Sequence, residues 1–387
     1  MDALRVGIIG VGNISGIYIK NLTAYPETEV IAVADLDAAR AASVAQQHGI
    51  PHALTPDALI AHPDVDLVLN LTIPAAHGDI ARRALTAGKH VYNEKPLTIS
   101  LDEARELVAL ADTNGRYLGC APDTYLGGGH QTARKAIDDG LIGAPIGASA
   151  AFMAHGPEAW HPNPDFFYRT GGGPMLDMGP YYVTALVHLL GPVRRLSGSA
   201  RISQATRPVP RSNEQYYARP DRAEFAATGY EMPVETPTHY VGVLEFANGA
   251  IGDLCTSFDI WHHRHDWSNP ITIYGTEGTL LVPDPNFFGG SVKVKRHDDS
   301  EWRELPNPFS FNENSRGLGI LDLAYALHQG RSPRVTGTLA LHALEVMMGI
   351  PEADATGTYI RPATQPERPA PMQRGEFNDP NAGPNGS

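Results

Sequence analysis

Along the first third of the chain, apolar residues come in short β-branched runs, each followed by a stretch whose apolar positions recur at helical spacing. The runs are LRVGIIG (residues 4–10), VIAVADLD (30–37), DVDLVLNL (64–71) and KHVYNE (89–94). Strands alternating with helical stretches predict βαβ units and a parallel, doubly wound sheet from residue 4 to about 120. Beyond DTYLGGGHQTARKAIDDGLIG (123–143) the texture changes to GASAAFMAHG (147–156), HYVGVLEFANGAIGDLCTSFDI (239–260), PITIYGTEGTLLV (270–282) and SVKVKRH (291–297). Turn signals such as NG and EG separate these runs, as in an antiparallel sheet. A helical pair, LGILDLAYALHQG (318–330) and GTLALHALEVMMGIPEA (337–353), closes the globular part.

The division expected is therefore an α/β domain over 1–122, an α+β domain with a large, mostly antiparallel open sheet over 123–361, and a tail over 362–387. The tail is rich in Pro, Gly and polar residues and reads as loose; the Pro- and Arg-rich stretch 203–237 reads as a long excursion. A chain of 387 residues exceeds one ordinary core, which agrees with two domains and leaves room for a cleft between them.

Composition narrows the partners. With 42% apolar and 19% charged residues the chain is globular, and no apolar run approaches the roughly 20 residues of a bilayer span. A formal charge of −13 opposes binding to nucleic acid or an anionic membrane, so a small neutral ligand fits better. Strand-like sequence starts almost at the first residue, and the 2 cysteines, Cys120 and Cys255, form neither a CxxC pair nor a disulfide framework. The expected location is cytoplasmic.

Two stretches in the first third of the chain carry chemistry. Gly10, Gly12 and Ser15 form G-x-G-x-x-S directly after a strand. The first glycine permits a tight turn, the second lets a pyrophosphate approach the backbone, and the small third residue lets the helix pack closely. With 39 glycines in the chain the pattern alone also fits a plain strand-to-helix turn. Asp35, at the end of the next apolar run, adds the carboxylate that would hold an adenosine ribose and repel a 2′-phosphate, and Leu36 rather than an arginine follows it. NAD is therefore expected over NADP. The second stretch is Glu94-Lys95-Pro96 after KHVYN, where the carboxyl end of a parallel strand would place Lys95 at a ligand; the plain alternative is a solvated loop lysine.

GVGNIS, VADLD, NLTIPAAHGDIARRALTAGKHVYNEKPL, GGGPMLDMG and IYGTEGTLLV together resemble the Gfo/Idh/MocA oxidoreductases, in the same order, over about residues 4–360. The resemblance implies a Rossmann domain, an α+β domain whose open sheet often forms a homodimer or homotetramer interface, and NAD(P) chemistry on sugars, polyols or related alcohols. It implies that Gly10, Gly12, Asn13 and Ile14 line the pyrophosphate, and Asp35 the ribose. Thr72, Pro74 and His77 would border the cofactor, Glu94 would lie near the nicotinamide, and Lys95, after which a cis bond is frequent, would face the substrate as a catalytic residue. His77 could equally be an ordinary helix-start residue.

The stretch GGGPMLDMGPYY (171–182) bears on proton transfer. If a helix starts near Asp177, that residue is a plausible cap, and Tyr181, four positions on, shares its face. The family's acid/base histidine corresponds here to Tyr181, as in some of its branches. A phenol of ordinary pKa ~10 is a poor base near neutrality and would need Lys95 close by. On that reading Lys95, Tyr181 and Asp177 are catalytic, and Lys95, Tyr125, His155, Asp177 and Tyr181 touch substrate. The plain alternative for Tyr181 is helix packing. His155, His161 and His188 are rival proton carriers, and Asp123-Thr124-Tyr125 stands where the family has N-x-R, so that arginine is lost. In WHHRHDW (261–267), His263 and His265 would share a strand face but lack a third ligand, so no metal is expected. Beyond hydride transfer between nicotinamide and a secondary alcohol, two other functions fit the sequence: an NAD-retaining glycosidase working by oxidation, elimination and re-reduction, and a non-catalytic nucleotide-binding regulator.

Overall fold

The computed structural model describes residues 2–262 and 268–380. The first 120 residues build a six-stranded sheet from β1 (Leu4–Ile9), β2 (Thr28–Ala34), β3 (His52–Leu54), β4 (Leu67–Asn70), β5 (His90–Asn93) and β6 (Leu118–Cys120). Its order is β3-β2-β1-β4-β5-β6 and its recorded strand pairs are parallel. Helices α1 (Ser15–Ala24), α2 (Ala38–His48), α3 (Pro56–Ala61), α4 (Pro74–Thr86) and α5 (Leu101–Thr113) form the crossovers. The sequence order reverses between β1 and β4, so the carboxyl ends of β1, β2, β4 and β5 open on one crevice. Apart from half-buried Arg5 and the terminal Asn70, β1 and β4 are apolar along their length, as strands buried on both faces are.

After α6 (Gly128–Asp138) the chain enters a second sheet. Its strands are β7 (Pro145–Met153), β8 (Val193–Arg201), β11 (His239–Phe246), β12 (Ile251–Ser257), β13 (Ile271–Gly275), β14 (Gly278–Val282), β15 (Lys293–Arg296) and β16 (Arg303–Glu304), numbered in chain order with the β9 and β10 described below. The order is β16-β15-β14-β13-β7-β12-β11-β8, with β7 and β12 parallel and the other pairs antiparallel. α7 (Gly173–Leu190) and, near the end of the chain, α10 (Gly337–Thr356) pack on one face of this sheet. The other face leaves Val241, Val243, Ile251 and Tyr274 exposed beside Ser149 and Asp253.

The stretch 203–237 is a small appendage with its own core. β9 (Thr206–Val209) and β10 (Tyr230–Pro233) pair, α8 (Glu214–Tyr217) lies between them, and Tyr168, Tyr216, Met232 and Phe258 fill the space beneath. Arg207 pins the appendage to the sheet by ion pairs to Glu158 and Asp259.

The expected loose tail differs. Residues 362–380 lie along the surface as a strap: the Arg368 guanidinium donates to the His188 and Leu189 carbonyls, Met372 N donates to Gln131, and Phe377 is buried against Tyr325. Proline-rich sequence without periodicity reads as loose, but fixed arginine and aromatic anchors hold this stretch without regular structure. α9 (Leu318–Gln329), which precedes α10, reaches back toward the first domain, where Tyr325 donates to Glu27.

Candidate functional site

The glycine turn after β1 fits a dinucleotide. Gly10 has φ +92°, and a Cβ there would stand 2.7 Å from the Leu71 carbonyl oxygen, so only glycine is comfortable. A Cβ on Gly12 would meet nothing within 4 Å, which leaves the turn open to a ligand. Gly12 and Asn13 are exposed, Ile14 is half-buried as the N-cap residue of α1, and no side chain caps that helix. Ser15 donates instead to the Gly12 carbonyl. At the end of β2, Asp35 accepts from Val11 N and Asp37 N, both at 3.0 Å, with Arg40 at 3.5 Å. Leu36 is 96% exposed beside it.

The β4 and β5 ends are locked together by amides. Asn70 donates to Asn93 Oδ1 and to the His77 carbonyl, and Asn93 donates to the Leu97 carbonyl across the NEKP turn. Thr72 Oγ1 donates to Asn70, and Pro74 opens α4 at a position where its missing N–H costs nothing. His77 is fully buried, with Nδ1 2.7 Å from the Pro96 carbonyl oxygen and Nε2 3.0 Å from that of Thr72. Burial pushes its pKa below the usual value. The ring thus clamps the Lys95 turn to the α4 start and does not lie open at the cofactor border. The Lys95–Pro96 peptide is cis.

Lys95 Nζ donates to Asp177 Oδ1 at 2.8 Å and to the Asp177 carbonyl at 2.7 Å, and lies 5.3 Å from the centre of the Tyr181 ring. Burial works against its charge, but Asp177, Tyr181 and Glu94 outweigh that and hold its proton more tightly than a free lysine's. Glu94 accepts from the Tyr18 hydroxyl and from Lys95 N.

Asp177 does not cap α7. The helix begins four residues earlier, with Gly172 at its N-cap and Pro174 in its first turn, so Asp177 is already inside it. The proline and the glycine turn start the helix and free the carboxylate to meet Lys95. Pro180 lacks an N–H, which weakens the helix ladder beside the carbonyl that Lys95 reaches. Asp177 and Tyr181 do share a face. Burial raises the Tyr181 pKa above its ordinary value, and the nearby Lys95 and Arg316 charges pull against that rise.

Other candidates are engaged elsewhere. Tyr125 is 1% exposed, its hydroxyl donates to the Arg334 carbonyl, and its ring packs on His188. The expected substrate contact is thus a buried structural tyrosine. His188 is fully buried between Gln131 and Arg134, and burial drives its pKa well below the ordinary value. His155 stacks on Trp261 and lies 3.8 Å from Glu158, and burial followed by Arg207 lowers its pKa. His161 remains within electrostatic reach of Asp177. His263 and His265 lie outside the described residues; among those described, no group of three or more His, Cys, Asp or Glu could hold a metal, and no helix could cross a membrane.

Two contributors were not among the expected site residues. Arg316, from the turn before α9, brings Nη2 to 3.4 Å from the Tyr181 hydroxyl and 3.4 Å from Asn286 Oδ1. Buried Asp123 holds that turn by accepting from Gly317 N and Gly319 N. Burial raises its pKa to about 6.

Comparison with known proteins agrees with this geometry. Over 316 residues the chain is 28% identical to a dTDP-3,4-didehydro-2,6-dideoxy-alpha-D-glucose 3-reductase of Streptomyces antibioticus, covering 80% of this chain and 85% of that one. It is 26% identical to a scyllo-inositol 2-dehydrogenase (NAD(+)) of Bacillus subtilis, covering 89% of this chain and 92% of that one. An NAD binding oxidoreductase from Klebsiella pneumoniae shares the fold at TM-score 0.79 and 22% identity, over 94% of this chain and all of that one. Residues 4–121 match the profile described as oxidoreductase family, NAD-binding Rossmann fold, and residues 130–281 match the GFO/IDH/MocA C-terminal domain. With both domains matched in sequence and a crevice that fits the dinucleotide, the chain belongs to the Gfo/Idh/MocA family of NAD-binding oxidoreductases.

Proposed function

We propose that this protein is an NAD-dependent dehydrogenase of a secondary alcohol in a sugar, glycoside or cyclitol. The observation that carries the reading is the meeting of Lys95, Asp177 and Tyr181 at the carboxyl end of β5, on the same crevice as the open glycine turn. A nicotinamide dinucleotide bound along that crevice would supply the hydride acceptor. Tyr181 takes the proton of the reacting hydroxyl, and the Lys95 ammonium stabilises the alkoxide as it forms. Asp177 keeps Lys95 oriented and charged and is free to accept from a neighbouring substrate hydroxyl. Asp35 favours NAD, because a 2′-phosphate would bring a second negative group against its carboxylate.

The relatives' names support the substrate class: one reduces a deoxysugar nucleotide and one oxidises an inositol. The exposed face of the eight-stranded sheet is our candidate for a homodimer or homotetramer interface, since its valines, isoleucine and tyrosine are otherwise left in water.

The test is to mix the protein with NAD and a panel of sugars, glycosides and cyclitols and follow reduced nicotinamide by absorbance. NADH formation with at least one of them is expected. NAD binding with no turnover on the panel contradicts the reading and favours a nucleotide-binding regulator, while aglycone release without net NADH favours the NAD-retaining glycosidase.

A further inference from the structure

Arg316 is separated from Tyr181 by most of the second domain in sequence, yet its guanidinium is directed at the phenol oxygen. The arginine is fixed from its backbone outward. Asn21 Nδ2 donates to the Asn314 and Arg316 carbonyls, and Asp123 holds the following N–H groups of Gly317 and Gly319. Asn21 on α1 and Asp123 just beyond β6 thus place the turn that carries it, with Tyr18 and Leu22 among its neighbours at Gly317.

The side chain's hydrogen bonds go to three neutral oxygens: Asn314 Oδ1 at 2.8 Å, and Tyr181 and Asn286 at 3.4 Å. A guanidinium is a donor only, so at this contact the Tyr181 oxygen accepts. Among the described residues the phenol makes no other hydrogen bond, so its own hydrogen, or the lone pair left when that hydrogen departs, is free to face the cleft. Lys95 Nζ lies over the ring, 5.3 Å from its centre. A half-buried cation whose hydrogen bonds all go to neutral acceptors, two of them at 3.4 Å, with Glu94 and Asp123 within electrostatic reach, still gains when one of those acceptors becomes an anion.

We propose that Arg316 acts with Lys95 as a second cation on the Tyr181 oxygen, so that the proton carrier is a Lys95–Tyr181–Arg316 group. This rests on the reading of Tyr181 given above. In the oxidising direction the phenolate, its proton released to solvent beforehand, takes the proton of the substrate hydroxyl and becomes a phenol. A nicotinamide bound in the crevice would accept the carbinol C–H pair as hydride, leaving the C–O bond a carbonyl. Arg316 donates to the phenol oxygen throughout and draws closest when that oxygen is ionised.

The test reads the phenol directly and needs no turnover. Site-specific 3-fluorotyrosine at position 181 gives a single fluorine NMR signal whose pH midpoint is measured in the parent, Arg316→Gln and Arg316→Lys proteins, with NAD binding as the check of folding. Arg316→Gln is expected to raise the midpoint by about one pH unit or more, the size of effect an opposite charge at this range exerts. Arg316→Lys should raise it less. If the Gln variant does not fold, Arg316→Met keeps the packing of the side-chain stem and gives the same comparison. An unchanged midpoint in a folded, NAD-binding variant without the cation overturns the proposal. Turnover of Tyr181→Phe reports separately on the proton carrier: a normal rate there removes Tyr181 from the chemistry whatever the fluorine signal does.

Discussion

Asp123 gives the site a pH dependence whose size follows from its surroundings. The carboxyl is buried under the turn that carries Arg316, and burial raises its pKa from 3.8 to about 6, against the opposing effects of the Gly319 and Gly317 N–H bonds and Arg316. A shift of about 2 units at ~1.4 kcal/mol each corresponds to roughly 3 kcal/mol between the two protonation states in the folded protein. The sign follows from the raised value. The folded protein binds this proton more tightly than the unfolded chain, so the stabilisation is fully present below the unfolded pKa of about 3.8 and is lost as the pH rises through about 6. Asp123→Asn is neutral at every pH and keeps an oxygen for the two N–H groups. Denaturant unfolding of both proteins from about pH 7 to about pH 4 is the assay, because other titrating groups cancel in the difference. The variant should be the more stable near neutrality by up to roughly 3 kcal/mol, with the gap closing toward pH 4. A constant gap across that range, or one that widens on acidification, refutes the reasoning.

Three further outcomes are expected. NADP should bind more weakly than NAD in fluorescence titrations, and Asp35→Ser should narrow the difference; tighter binding of NADP to the parent protein contradicts the role given to Asp35. Tyr125→Phe should cost about 1 kcal/mol of stability through the lost bond to the Arg334 carbonyl, with KM and kcat unchanged, since its hydroxyl is engaged in the core. Lys95→Met should lower kcat by roughly the 10²–10⁴-fold typical of a lost acid/base partner, and combining it with Tyr181→Phe should add little, because residues that act as a unit are not additive.

The parallel sheet was legible because strands buried on both faces must be written as apolar runs, and the crevice followed from where those runs end. Glycines at 10 and 12 and the lysine at 95 stood out because turn geometry and strand-end position constrain residue type locally. The error over Asp177 came from giving a polar residue the capping role that Gly172 and Pro174 make unnecessary. Tyr125 and His188 have side chains suited to chemistry, and only the packing of α6, α7 and the C-terminal strap shows that they are engaged in the core. Arg316 had no periodicity or spacing to mark it. Its partner Tyr181 lies in α7, and what unites them is a tertiary contact made when the α9 turn docks on Asp123 and Asn21.

The central claim is that Tyr181 carries the proton beside a charged Lys95. Tyr181→Phe removes one hydroxyl and keeps the ring against its neighbours, so it separates chemistry from packing. Measured with NAD and whichever sugar, glycoside or cyclitol the parent protein oxidises, the variant should keep its NAD affinity and melting temperature while kcat falls by roughly 10²–10⁴-fold. Near-normal turnover in Tyr181→Phe, with a collapse in His161→Ala instead, would contradict the account and leave Tyr181 a packing residue of α7.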